Sequence, residues 1–266
     1  MKISPRYVKQ AYVLAWKFFT YNKLTSFLAM GIIFGLYALS IIPILGLVIS
    51  IVAGISLFSV QTYVAKTLIS SQSDEEFQQK VAATKLKELL SKHLSIASGG
   101  FLGFVVVQII MLVLIFTVLS FSIGLETLSN LNDQSLSPEQ QMAIFLNIGI
   151  VGLIFIFSIM SFAYIYPLVL GKVYTSNNFG EAFSSIFTMF SPSTWKASFN
   201  VQYFLMVSML HLSAIGMMII VMFSFMTIVL IPLGFLVVYL FLLYTSTTAV
   251  LSREIVLNDF EENEEA

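Results

Sequence analysis

The chain has 266 residues, of which 58% are hydrophobic and only 10% are charged, and its formal net charge is −1. An average soluble domain has about 25% charged residues, so these proportions exclude a water-soluble globular fold for most of the chain. The chain has no cysteine, which excludes disulfide bonds, thiolate metal sites and a cysteine nucleophile. Its cations form no dense stripe, so we expect no nucleic-acid partner. The composition predicts an all-α integral membrane protein.

The first 23 residues contain five cations and no acidic residue. Their apolar residues recur at helical spacing, which predicts an amphipathic helix over about 5–22 that lies in the membrane interface, with Trp16 at headgroup depth. The apolar positions are Val8, Ala11, Tyr12, Ala15 and Phe19. A secretory signal is the alternative, but no small-x-small cleavage site follows, so an uncleaved anchor is favoured.

Long uncharged segments predict six transmembrane helices arranged as three hairpins. Residues 24–65 and 197–252 contain no Lys, Arg, Asp or Glu, and each segment is interrupted by an Ile-Pro pair with a glycine nearby. A span needs about 20 apolar residues, so each segment fits two spans and a turn. The predicted spans are about 24–41, 46–70, 96–124, 141–171, 197–225 and 231–252, all within a single membrane domain, 1–253.

Two further interfacial helices are predicted, each before a pair of spans. Ser73 followed by Glu76 forms a capping box that begins a helix over about 74–93, and Asn178 with Glu181 begins one over about 178–191. The second helix carries an aromatic face of Phe179, Phe183, Phe187 and Phe190. These rings either pack under the bundle or, together with Trp16, Trp195 and the basic helices, recognise anionic lipid or a partner protein.

The cations fix a predicted orientation. With six alternating spans and the N-terminus in the cytoplasm, the inner segments hold five cations in 1–23, five in 66–92, then Lys172, Lys196 and Arg253, which is all 13. The positive-inside rule then places both termini in the cytoplasm. Residues 254–266 hold six acidic residues and no base, and are predicted to form a cytoplasmic tail that is either a disordered solubilising end or a docking peptide.

Candidate chemistry is sparse. The chain has two histidines and matches no hydrolase, nucleotide or metalloprotease motif, so we expect no enzyme activity, no cofactor and no metal site. His211 lies 15 residues beyond Lys196, which is about 22 Å along a helix. Either it is a neutral imidazole bonded to Ser208 or another helix, or it serves transport. The candidate intramembrane polar residues are His211, Gln202, Gln108, Asn147 and Gln61, which either bond across helices or line a pore.

Small residues and one proline predict local packing. The Gly31-x-x-x-Gly35 and Gly99-x-x-x-Gly103 pairs permit close approach between helices. Pro167 either ends the fourth span or kinks it, and the termination is favoured because Gly171 and Lys172 follow.

Several short motifs carry a family resemblance. They are Tyr166-Pro167, the segment 179–185 (Phe-Gly-Glu-Ala-Phe-Ser-Ser), Ile231-Pro232 and Tyr244. In these residues the chain resembles uncharacterised bacterial six-span inner-membrane proteins, and is similar to the membrane domain attached to some glycerophosphodiester phosphodiesterases. The resemblance implies a bacterial inner-membrane location. It gives no catalytic residue, and since no phosphodiesterase domain is present that activity is not carried over.

Two functions are compatible with these patterns. One is a non-catalytic scaffold or subunit of a membrane complex, whose basic and Phe-rich interfacial helices engage membrane lipids or another membrane or cytoplasmic protein. The alternative is a permease or channel component for a small solute. The first is favoured because buried charges, inverted repeats and paired broken helices are missing.

Overall fold

The computed structural model describes residues 6–123 and 137–264, and every regular element in those ranges is helical. The helices before residue 124 are α1 (Arg6–Tyr21), α2 (Lys23–Leu39), α3 (Leu45–Ile69), α4 (Asp74–Ala82), α5 (Leu86–Ser91) and α6 (Leu94–Ile123). Those that follow are α7 (Pro138–Thr175), α8 (Phe179–Ile186), a 3₁₀ turn (Phe187–Phe190), α9 (Pro192–Ser198), α10 (Val201–Phe225), a second 3₁₀ turn (Ile228–Leu230) and α11 (Ile231–Glu264). The predicted all-α class is confirmed for these ranges.

Several of these helices are long and apolar enough to cross a membrane. Five qualify singly, over Leu45–Ile69, Leu94–Val118, Gly149–Thr175, Val201–Phe225 and Ile231–Leu257. A sixth span is reached when α1 and α2 are counted as one bent pair, whose two helices meet at 96°. The protein is therefore a helical chain with five or six candidate spans, as expected for a multi-pass membrane protein.

The larger of two compact units comprises residues 1–103 and 165–266 and is organised around α11, which packs against α1, α3 and α10. Residues 243–252 of α11 are buried on every side. Four of them, 245–248, are consecutive Thr and Ser residues, and the hydroxyls of Thr245, Ser246 and Thr247 bond back to the helix or to α1. Small hydroxylated side chains allow neighbouring helices to approach closely, which explains why α11 can lie at the centre.

In the second unit, residues 104–164, the described residues 104–123 and 137–164 are the continuing parts of α6 and α7. Most of its large apolar side chains are exposed, with Phe116, Phe145 and Phe157 each more than 70% exposed, whereas Val107 and Val151 are buried. Apolar surface of this extent needs lipid or another protein as its environment.

The predicted chain breaks at the two Ile-Pro pairs coincide with helix ends. Helix α2 ends at Leu39 and α3 begins at Leu45, and between them Ile44 has a φ of 69° where the Leu45 N–H bonds to the Pro43 carbonyl at 2.8 Å. This is a tight three-residue turn of a kind rarely adopted by a β-branched residue. Pro232 lies in the first turn of α11, where its missing N–H costs nothing.

The predicted single helix over 74–93 is wrong in its continuity, although its capping residues are confirmed. The Glu76 N–H donates to Ser73 Oγ at 3.2 Å, which is one of the two bonds of a capping box, while the Glu76 carboxylate accepts from the Gln72 N–H at 2.7 Å instead of from the Ser73 N–H. The helix stops at Ala82, and α5 begins only at Leu86. The break lies at Thr84, a buried residue with a carbonyl that accepts from Asn22 and a hydroxyl that lies 3.0 Å from the Tyr63 hydroxyl. Tertiary hydrogen bonds thus replace the local helical ones.

The predicted helix end at Pro167 is also wrong, because α7 continues through this proline to Thr175. Leu168, Val169, Leu170 and Val173 beyond it are at most 2% exposed. Their packing favours a continued helix over the termination that proline alone would cause.

The predicted interfacial helix over 178–191 corresponds to α8 and the 3₁₀ turn. Its start is confirmed, because the Glu181 N–H donates to Asn178 Oδ1 at 3.0 Å. A further short helix, α9, then precedes α10, which begins at residue 201 after the cap residue Asn200 instead of at 197. At the other end of the chain, α11 continues into the predicted acidic tail, so residues 254–264 are helical and not disordered.

Candidate functional site

Asn22 forms the corner between α1 and α2. Its side-chain Oδ1 accepts from the Thr25 N–H at 3.2 Å and caps α2, while its amide Nδ2 donates to the carbonyls of Thr84 at 2.6 Å and Val81 at 3.1 Å. One side chain therefore caps the start of α2 and binds carbonyls at the end of α4 and in the linker to α5. These bonds lie at the corner where α1 and α2 meet at 96°.

One face of helix α1 packs against α11. Ala11, Ala15, Phe18 and Phe19 are at most 5% exposed, and the Thr247 hydroxyl of α11 donates to the Ala11 carbonyl at 2.9 Å. Ala11, Ala15 and Phe19 belong to the predicted apolar face, but Tyr12 of that face is 45% exposed and Phe18 is buried in its place. This contact leaves part of the opposite face of α1 exposed.

The exposed face of α1 carries both apolar and cationic side chains. Val13 and Trp16 are 40% and 56% exposed, and Lys9 is exposed as well, as is Lys23 at the start of α2. Lys17 is committed to an ion pair with Asp74 of α4 at 2.6 Å. Aromatic and cationic groups together on an exposed helix face are typical of contact with lipid headgroups.

A groove of about 440 Å³ runs between α1, α10 and α11. Its walls are largely apolar and include Trp16, Met217 and Phe241. At its polar end the Tyr12 ring stacks on the Tyr244 ring, with centroids 4.0 Å apart, and the Tyr12 hydroxyl forms a hydrogen bond with Ser213. Sequence patterns gave no signal for this groove because its walls come from three distant segments.

The Phe-rich helix α8 docks on α6 through glycines. A Cβ atom on Gly99 would lie 2.3 Å from the Phe179 carbonyl oxygen, and one on Gly103 would lie 2.8 Å from the Phe183 carbonyl oxygen. The predicted close approach at this pair is confirmed, with α8 as the element that approaches. For Gly31 and Gly35 nothing lies within 4 Å, so that pair makes no such contact within the described chain.

The predicted aromatic surface is only partly exposed. Phe179 and Phe190 are 41% and 46% exposed, whereas Phe183 and Phe187 are half-buried with ring centroids 5.4 Å apart. The residues that α8 and its 3₁₀ turn bury are Ala182, Ile186 and Met189. Trp195 is half-buried and donates its indole N–H to the Met189 carbonyl at 2.7 Å, so it braces the 3₁₀ turn, while Trp16 lies on α1.

The five candidate polar residues have different surroundings. Gln61 is 2% exposed and its Nε2 lies 3.5 Å from the Leu242 carbonyl of α11, whereas Gln202 is half-buried near the start of α10. Gln108 is exposed in the second unit, and the side chain of Asn147 lies outside the described residues. The structure thus brings Gln61 to a contact with α11.

His211 is held by its own helix. Its Nδ1 lies 2.7 Å from the Val207 carbonyl, one turn earlier, in place of the predicted bond to Ser208 or another helix. Because α10 begins at residue 201, His211 lies about 15 Å along it rather than about 22 Å from a helix start at Lys196.

The segment between α3 and α6 holds the perturbed titratable groups outside the candidate spans. Burial, and then the cations of Lys66 and Lys92, lower the pKa of His93, whose ring centroid lies 6.0 Å from that of Tyr63. The Lys80 ammonium and the Gln72 N–H lower the pKa of the Glu76 carboxyl. Within the ranges that the structure describes, no group of three His, Asp or Glu side chains is placed to hold a metal ion.

Comparison with known proteins returned no relative. No protein family matches the sequence, and no curated protein or solved structure matches it. The functional argument therefore depends on the chain's own geometry.

Proposed function

We propose that this protein is a non-catalytic scaffold or subunit of a membrane complex, and that its interfacial helices engage membrane lipid or a partner protein. In this proposal the chain crosses the inner membrane of a bacterium six times, and both termini face the cytoplasm. The distribution of cations supports the orientation, since all 13 then lie on one side.

The corner between α1 and α2 carries the proposal. In this proposal α2 serves as the first span, since its 17 residues are at the short end of the length that crosses a bilayer. With α2 upright, α1 at 96° to it lies in the membrane plane. The exposed face of α1 then brings Trp16 to the headgroups and Lys9 to anionic phosphates, and Lys23 at the start of α2 lies at the same level. The groove beside Trp16 adds room for an acyl chain, which makes lipid the partner that this face fits best.

The depth of Trp16 tests this engagement. The chain has two tryptophans, so the Trp195→Phe variant has Trp16 as its sole tryptophan, which can be excited selectively above the absorption of tyrosine. In vesicles of phosphatidylcholine and phosphatidylglycerol, we expect lipids brominated near the headgroup to quench Trp16 more strongly than lipids brominated near the chain end, because the ring would lie at the interface. The Trp16→Phe variant, which retains Trp195, is the matched control.

Equal quenching at all depths, or none, would contradict lipid engagement by α1. The same vesicles distinguish the permease alternative when they are loaded with small solutes. We expect no saturable flux through the reconstituted chain, and a flux that depends on His211 or Gln61 would favour transport.

The orientation has its own test. The chain has no cysteine, so a Lys23→Cys variant carries a single thiol. In intact cells we expect a membrane-impermeant maleimide to label this thiol only after permeabilisation, because residue 23 would face the cytoplasm. Labelling from outside intact cells would reverse the proposed topology.

A further inference from the structure

A basic cleft lies between α7, α9 and α11, away from α1. It has a volume of about 360 Å³ and is lined by side chains from all three helices. Two of them, Lys172 and Arg253, are cations that lie near the ends of candidate spans. Cations at such positions are expensive unless they reach water or an anion.

The packing of α7 on α11 brings the two cations together. A Cβ atom on Gly171 would lie 2.6 Å from the Ala249 carbonyl oxygen and 3.1 Å from Arg253 Cβ. The glycine thus lets the two backbones meet and places Lys172 and Arg253 on adjoining walls of one cleft. Without a small residue at 171 this arrangement could not form.

Hydroxyl groups complete the cleft. Thr175, Ser193 and Thr194 line it, and Thr194 is only 1% exposed. The Lys172 ammonium donates to Thr194 Oγ1 at 2.7 Å, which fixes the ammonium and leaves the threonine proton free to donate elsewhere. The site therefore contains a buried polar side chain, Thr194, in addition to its two cations.

In the described part of the chain, the lining of the cleft has no acidic residue and neither cation forms a salt bridge. Glu254 adjoins Arg253 in sequence and interacts with its charge, and Glu181 lines a neighbouring depression that shares Lys172. Both Glu181 oxygens already accept from Asn177 and Asn178 at 2.8 Å.

We propose that this cleft binds a phosphate group. Two cations and the hydroxyls of Ser193 and Thr194 offer donors in several directions, which suit the several oxygens of a tetrahedral anion better than a planar carboxylate. The Thr175 hydroxyl instead donates to the Gly171 and Lys172 carbonyls of its own helix. The lining also contains the apolar side chains of Leu168, Val256 and Leu257, which suit the glycerol or upper chain carbons of a phospholipid. The phosphate therefore belongs either to an anionic lipid headgroup or to a small soluble compound.

The proposal uses no residue of α1, so its failure would leave the proposed lipid engagement by α1 standing. The reverse holds as well, since an α1 that fails to reach headgroup depth leaves the cleft intact. The two experiments use different tryptophans and can be read separately.

Titration of the full-length chain in neutral detergent tests the cleft. The Trp16→Phe variant leaves Trp195, the residue next to Thr194, as its sole tryptophan. The probes are inorganic phosphate, dihexanoyl phosphatidic acid and dihexanoyl phosphatidylcholine, with Trp195 fluorescence and the melting temperature as readouts. We expect saturable binding of phosphatidic acid and a dissociation constant raised about tenfold to a hundredfold by Lys172→Gln or Arg253→Gln, because each loses a charge-assisted hydrogen bond.

The control is Lys87→Gln, which removes an exposed cation of α5 and should leave binding unchanged. Saturation by inorganic phosphate as well identifies a free phosphate compound as a ligand, whereas saturation by phosphatidic acid alone identifies a lipid headgroup. The proposal is overturned if neither inorganic phosphate nor phosphatidic acid changes the Trp195 fluorescence or the melting temperature. It is also overturned if phosphatidylcholine binds as tightly as phosphatidic acid. Equal binding by a correctly folded Arg253→Gln or Thr194→Val variant also overturns it, even where Lys172→Gln fails to fold.

Discussion

Replacing Gly99 with alanine is expected to displace α8 from α6 and to lower the free energy of unfolding by about 1–3 kcal/mol, the usual cost of overpacking. The new methyl carbon would lie 2.3 Å from the Phe179 carbonyl oxygen and 3.0 Å from its carbonyl carbon. These are backbone atoms in the first turn of α8, so no side-chain rotation relieves the clash. The helix itself must move.

Trp195 reports that movement. Its indole N–H bonds to the Met189 carbonyl in the 3₁₀ turn that follows α8. In a Trp16→Phe background we expect the Gly99→Ala variant to shift Trp195 emission to longer wavelength and to unfold at a lower denaturant concentration.

The Gly31→Ala variant is the matched control, because it makes the same chemical change in the same spacing motif with nothing within 4 Å. Its stability should stay within about 1 kcal/mol of the wild type, and in the direction of a gain, since alanine favours a helix. Equal losses at positions 31 and 99 would show that α8 does not depend on the glycine contact.

Replacing Asn22 with alanine is expected to cost about 2–3 kcal/mol of unfolding free energy, which combines the loss of a helix cap with the loss of amide bonds to buried carbonyls. The cap bond to Thr25 disappears, and the carbonyls of Val81 and Thr84 lose a donor. Chemical denaturation in detergent measures the stability. Limited proteolysis should detect a more accessible chain at residues 83–85.

Asn22→Ser separates the two contributions. A serine at residue 22, the cap position before α2, can restore the bond to Thr25 but cannot reach both carbonyls. We therefore expect it to recover about half of the lost unfolding free energy. If the alanine and serine variants are equally stable, then the amide bonds dominate the corner. An alanine variant as stable as the wild type would show that the Asn22 side chain does not stabilise the corner between α1 and α2.

Much of the local architecture could be predicted from the sequence. Uncharged segments indicated the long helices, Pro43 and Pro232 marked the chain breaks, and Ser73 and Asn178 marked helix starts. Each of these signals acts over a few residues, through hydropathy, a missing donor or a cap bond. A close helix contact at Gly99 and Gly103 was also predicted, but the sequence did not indicate that α8 makes this contact.

The sequence-based predictions that the structure contradicts are wrong for one common reason, which is that distant residues override the local signal. Pro167 remains inside a helix because the residues after it are buried, and Thr84 interrupts a helix because Asn22 and Tyr63, from distant segments, bind it. The groove beside Tyr12 and the phosphate cleft beside Lys172 and Arg253 likewise gather residues from three separate helices.

The sequence by itself determined that this chain belongs in lipid and which segments are helical, since hydropathy and capping are properties of neighbouring residues. Only the tertiary structure decided which face of α1 stays free, which glycines bear a contact and which cations share a cleft. Those outcomes depend on where distant backbones meet, and that is set by packing around α11, because its small buried hydroxyl residues permit close approach.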